Sequence, residues 1–213
     1  NCRVMQVIDY ALIGDGTSDR ALLPILSWSL RRLAPQIDFA PQPFVHRGSC
    51  AVDATVEDVR NKYKPALIFV HRDAERLPLA ARRTEVPRVD YVVPVIPVRM
   101  TEAWLLIDAE ALRIASGNPN GRTAIELPRT RDIERLPDPK KDLERLLMDA
   151  AGTLGQRRRK RFKQEQAFMV HRVAECIRDF SALHELEAFR AFWADLKAAL
   201  STLSSMDGFP KIG

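Results

Sequence analysis

Residues 7–13 (VIDYALI) are apolar or aromatic apart from Asp9, and the run breaks off at Gly14-Asp15-Gly16. A short β-branched and aromatic run closed by turn residues predicts a β-strand. Residues 18–33 (SDRALLPILSWSLRRL) then switch to helical spacing. Thr17 or Ser18 stands where a cap belongs, Asp19 complements the positive helix end, and Pro24 is set to disturb the first turns. Residues 43–47 predict a short second strand and 55–62 a short helix. Residues 65–70 (PALIFV) read as a buried strand ending at His71-Arg72-Asp73-Ala74-Glu75, with a helix around 77–83. Residues 91–98 (YVVPVIPV) predict a strand that Pro94 and Pro97 push to a sheet edge. Residues 101–114 predict a helix capped by Thr101.

Strand and helix in short alternation predict an α/β domain with a mainly parallel sheet over residues 1–115. The segment 116–139 is rich in Gly, Pro, Asn and Arg and reads as a loop or linker. Residues 140–150, 160–180 and 185–200 carry helical patterns, predicting a helical extension (140–213) packed on the same domain.

With 46% hydrophobic residues among 213 and only 9 Gly and 14 Pro, the chain can build a core, which excludes a disordered or fibrous protein. No apolar run approaches the roughly 20 residues of a membrane span, and the opening residues do not read as a signal peptide. Cys2, Cys50 and Cys176 are odd in number and lack metal-site spacing, which suits small buried free thiols in a reducing cytoplasm. Trp28, Trp104 and Trp193 read as core. The net charge is only +5, but Arg157, Arg158, Arg159, Lys160, Arg161 and Lys163 crowd together, a cluster that attracts polyanions.

Sites in parallel sheets form beyond the carboxyl ends of the strands. Asp15 and Asp19 follow the first strand, Asp73 and Glu75 the central one, and Glu102 the fourth. Carboxylates gathered at three strand ends repel one another unless something neutralises them, and a hard divalent cation does so. Any one of these acids alone is better explained by capping a helix or pairing with Arg20, Arg47, Arg72 or Arg99; the three strand ends together favour the metal. Other motifs fail. His71-Arg72-Asp73 lacks the later Asn of a kinase catalytic loop, and Gly14-Asp15-Gly16-Thr17 is neither a Walker loop nor an EF-hand. His46, His71, His171 and His184 lack zinc spacing.

Asp15-Gly16-Thr17-Ser18-Asp19, followed by Arg20 to Leu26 (RALLPIL), resembles the first signature of the Toprim fold, and Arg72-Asp73-Ala74-Glu75 resembles its second. Thr101-Glu102-Ala103-Trp104-Leu105-Leu106 resembles an element of small bacterial Toprim-like proteins, themselves distantly similar to nucleases of the overcoming-lysogenisation-defect type. Asp138-Pro139-Lys140 with Leu143 and Leu147, and the later run Ala188 to Phe192 (AFRAF), are similar to that family's helical part. The resemblance implies four mainly parallel strands between helices, Rossmann-like in character, and a magnesium site, which manganese would also suit. Asp15, Asp73 and Glu75 are then the expected catalytic carboxylates, and Asp15, Asp19, Asp73, Glu75 and Glu102 the expected metal set. The chain departs from the pattern with Asp15 in place of Glu, Glu75 in place of Asp, and Met100 ahead of Thr101-Glu102.

Backbone N–H groups near Ser18 would face a phosphate. Arg47 and Arg72 would stabilise phosphodiester charge, and the 157–163 run would track a nucleic-acid backbone. Phe162 either stacks on a base or is buried. The expectation is a magnesium-dependent nuclease of phage defence or repair. The alternatives are a degenerate scaffold that binds nucleic acid, or a subunit that needs a partner ATPase.

Overall fold

The computed structural model describes residues 7–152, 155, 157, 160, 162, 164–206 and 209. The first half alternates strand and helix: β1 (Val7–Gly14), a 3-10 turn (Thr17–Leu22) running into α1 (Leu23–Leu33), β2 (Asp38–Pro41), β3 (Val45–His46), α2 (Val52–Tyr63), β4 (Leu67–His71), α3 (Leu79–Arg83) and β5 (Val92–Val95). The strands form a parallel sheet in the order β2-β1-β4-β5, with β3 also on β1. Ile13 pairs with Val70 of β4 and with Val45 of β3, so β3 lies on the β2 side of β1. The expected second strand at 43–47 is therefore the far piece of one broken edge. Pro41 and Pro43 interrupt it because proline has no N–H to donate, while Gln42 N and Arg47 N keep the ladder going to Tyr10 O and Gly14 O. This is an α/β, Rossmann-like architecture with a five-stranded parallel sheet flanked by helices.

Alternate residues along each strand face opposite layers. Tyr10, Leu12, Leu67, Phe69, Val93 and Val95 pack with α1 and the later helices, while Ala11, Ile13, Ile68, Val70 and Val92 pack with Val52, Val56 and Val59 of α2. The chain steps from β1 to one side for β2, then crosses to the other side for β4. The strand order therefore reverses between β1 and β4, which is where open α/β sheets form a crevice.

The second half holds a 3-10 turn (Thr101–Leu105), α4 (Ala109–Ala115), a second turn (Thr130–Arg135), α5 (Pro139–Ala151), α6 (Gln166–Cys176), a third turn (Ser181–Glu185) and α7 (Glu187–Ser205). The helix expected over 101–114 is split because the Asp108 side chain accepts from Glu110 N and Ala111 N, starting a new helix there. The 160–180 pattern stops at Cys176, where Ile177 turns extended. Within the segment read as a linker, Ile133 is fully buried and Glu134 caps α7 by accepting from Glu187 N and Ala188 N. Trp104, Phe180, Phe189 and Phe192 are buried against the sheet, with Trp104 edge-on to Phe189 at 5.3 Å. Burial of side chains this size, each about 1.5–3 kcal/mol, holds the helical half to the sheet. A bidentate ion pair, Arg83 to Asp195 at 2.6 and 2.9 Å, also ties α3 to α7. Among the described residues no helix is long and apolar enough to cross a membrane.

Candidate functional site

The site begins at the end of β1. A Cβ placed on Gly14 would lie 2.6 Å from Asp19 Oδ2, so only glycine lets that carboxylate approach the strand exit. Asp19 Oδ2 accepts from Asp15 N at 2.8 Å and Gly16 N at 2.9 Å. The first element is thus a six-residue 3-10 turn with Gly16 as its cap, rather than a helix capped by Thr17 or Ser18. The N–H groups of Asp15 and Gly16, just ahead of the Ser18 region expected to face a phosphate, are spent on Asp19.

Asp19 is 5% exposed, and its other oxygen, Oδ1, lies 3.5 Å from His71 Nε2. His71 ends β4 and is buried. Its Nδ1 stands 3.0 Å from the Val95 carbonyl of β5, which can only accept, so Nδ1 donates there. Its Nε2 is surrounded by Asp19 Oδ1, Asp73 Oδ1 at 3.3 Å and Thr101 Oγ1 at 3.2 Å. Burial works to lower the imidazole pKa, but the Asp73 contact and the Asp19 and Asp73 charges outweigh it and leave it raised. One ring therefore ties together the exits of β1, β4 and β5.

Asp73 Oδ1 is buried and has no well-aligned hydrogen bond; its contact with His71 is electrostatic. Glu102, at the opening of the Thr101–Leu105 turn, is 8% exposed. Burial raises its pKa against a backbone hydrogen bond, and the charges of Asp73 and Asp19 add to the rise while Lys140 opposes it. The α6 helix packs behind both turns, closing this end of the sheet.

No family model, curated protein or solved structure matches this chain.

Asp15 and Glu75 have other partners. Asp15 Oδ1 accepts from Arg47 Nε at 2.7 Å, and its Oδ2 lies 3.1 Å from Arg72 Nε. Arg72 Nη2 reaches Glu85 Oε2 at 3.0 Å, and Arg82 bonds both Glu85 oxygens at 3.0 Å. Arg82 Nη2 also stands 3.5 Å from Glu75 Oε2, although the Glu75 side chain is 74% exposed. Glu75 (φ 54°) and Arg99 (φ 69°) both adopt left-handed backbone and are joined by Glu75 N donating to Arg99 O. Two such non-glycine residues, at about 1–2 kcal/mol each, mark a strained loop pair beside the acids.

The structure thus gathers Asp19 and Asp73 around His71, places Glu102 within reach of the charges of those two acids, and sets Asp15 and Glu75 in an arginine relay beside them. Asp73 Oδ1 is the one carboxylate oxygen of this group buried without a hydrogen-bond partner among the described residues. Asp15 and Glu75 do not fit as ligands in this arrangement. Among the described residues no group of three or more His, Cys, Asp or Glu side chains is placed to hold a metal ion. Of the basic run, Arg157 and Lys160 are exposed, whereas Arg158, Arg159, Arg161 and Lys163 lie outside the described residues. Phe162 is buried in the core, and Cys50 is exposed rather than buried.

Three contributors were missed in the sequence. His71 had a signal, a lone polar ring ending a wholly apolar strand. Gly14 had one too, a glycine at a strand exit. Glu85 had none, because its role depends on α3 folding back over the β4 exit.

Proposed function

We propose that the chain is a magnesium-dependent phosphodiester-cleaving enzyme acting on nucleic acid, in phage defence or repair, with Asp19, Asp73 and Glu102 holding the ion. Manganese would suit the same oxygens. The observation that carries this reading is the placement of those three acids after three neighbouring strands, by the switch point between β1 and β4, with buried Glu102 feeling the charges of Asp73 and Asp19. Like charges assembled out of water are unfavourable on their own, and they become favourable around a cation. When bound, such an ion activates water and stabilises the leaving oxygen of a phosphodiester. The chain's own residues supply the rest. His71 holds Asp19 and Asp73 in register, Glu102 adds a buried carboxyl group beside them, and Arg47 and Arg72 face the substrate's phosphate charge.

The test is cleavage of plasmid, single-stranded DNA and RNA with magnesium or manganese. Asp73→Asn should reduce cleavage by at least about a hundredfold. Cleavage that survives Asp73→Asn, or is absent on every substrate with either ion, would remove this reading.

A second reading has one observation in its favour. Asp15 and Glu75, the positions where the chain departs from the Toprim pattern, are both engaged with arginines. On that reading the scaffold binds nucleic acid without cutting it, and salt weakens binding while Asp73→Asn does not. Cleavage that appears only with a partner ATPase would make the chain a subunit.

A further inference from the structure

We infer that Arg47 and Arg72 form a phosphate seat that the chain's own Asp15 occupies until a polyanion displaces it. The inference rests on reading this end of the sheet as a phosphodiester site. The two arginines reach in from the strand exits on either side of β1, and each points its Nε at a different oxygen of one carboxylate, at 2.7 and 3.1 Å. Two oxygens held by two guanidinium groups are also how a phosphate is gripped, because carboxylate and phosphate present the same paired acceptors to arginine.

Exposure separates the seat from its occupant. The Arg47 and Arg72 side chains are only 15% and 17% exposed, whereas that of Asp15 is 39% exposed. The arginines are also anchored from behind, Arg47 by the Cys50 carbonyl and Arg72 by Glu85. Asp15 is free to leave on the solvent side while they stay. It also fills the seat imperfectly. Arg72 Nε is buried without a well-aligned hydrogen bond, despite its 3.1 Å distance from Asp15 Oδ2. An incoming phosphate oxygen can meet that donor head-on.

Displaced, Asp15 remains tethered beside Asp19, since its own N–H donates to Asp19 Oδ2 at 2.8 Å. Seating a phosphate and releasing a further carboxylate next to the Asp19, Asp73 and Glu102 group are therefore one event.

The experiment measures anisotropy of a short fluorescein-labelled single-stranded DNA with the full chain, in EDTA at fixed low salt. Because it needs neither metal nor cleavage, it separates this inference from the nuclease reading. Asp15→Asn, which removes the internal competitor and keeps its shape, should bind about tenfold more tightly than wild type. Glu75→Gln removes an equal charge from an exposed position nearby and should change binding less than about twofold. Arg47→Ala should weaken binding about tenfold, and Arg47→Lys should restore part of it by returning the charge without the fork. Thermal melts of each variant confirm folding. Asp15→Asn binding no tighter than Glu75→Gln, or no variant binding at all, would overturn the exchange. Metal-dependent cleavage could persist in either case.

Discussion

Two arginine–carboxylate contacts in this chain are built to different ends. Arg83 and Asp195 meet one to one with two parallel bonds, joining α3 to α7, and among the described residues neither shows another ion-pair partner. Asp15 is instead shared, one oxygen to each of two arginines from separate strand exits, and one of those contacts is poorly aligned. The first arrangement is complete and fixes two elements. The second is a compromise that an external anion improves. Ion pairs of equal formal charge can thus serve structure or exchange, and donor alignment and sharing tell them apart.

The harshest way to break the comparison is Gly14→Ala. The new methyl would displace Asp19 and leave the N–H groups of Asp15 and Gly16 without their charged acceptor. Two charge-assisted bonds are lost together, so urea unfolding should show about 3 kcal/mol less stability, with Arg83–Asp195 untouched. A milder pair of variants sharpens it. Asp195→Asn and Asp15→Asn should each cost about 1 kcal/mol. Added inorganic phosphate should restore the Asp15 variant, which exposes a seat, and leave the Asp195 variant unchanged. Equal recovery in both would erase the distinction.

A subtler effect lies in pH. The folded-state pKa of His71 is raised above its ordinary 6.5, so its protonated form favours the fold. That contribution is fully present below the ordinary value and is lost as pH rises through the folded one. Glu102, raised from 4.5, acts in the same direction over a lower range. The melting temperature should therefore decline from mildly acidic to mildly alkaline pH, and the decline near neutrality should flatten in His71→Gln.

Much of this was legible in the chain. Apolar runs bounded by Gly and Asp gave β1 and β4, and Pro94 correctly marked β5 as an edge, since β5 pairs with β4 alone in the strand order. The placement of Asp19, Asp73 and Glu102 at one end of the sheet was legible because acids that follow parallel strands must emerge there. What escaped was decided by distant neighbours. Whether Asp15 faces a cation or a guanidinium depends on where β3 and β4 place Arg47 and Arg72, which no local pattern encodes. Whether residues 101–114 form one helix or two depends on the Asp108 carboxylate turning back on the backbone, a choice that periodicity does not register.

The most direct test is titration calorimetry of magnesium and manganese into wild type, Asp73→Asn and Glu75→Gln at fixed low salt. If the carboxylates around His71 form the working site, wild type and Glu75→Gln bind alike and Asp73→Asn does not bind. If no protein binds either ion, or if Glu75→Gln loses as much as Asp73→Asn, the acids at the strand ends are not the centre proposed for them.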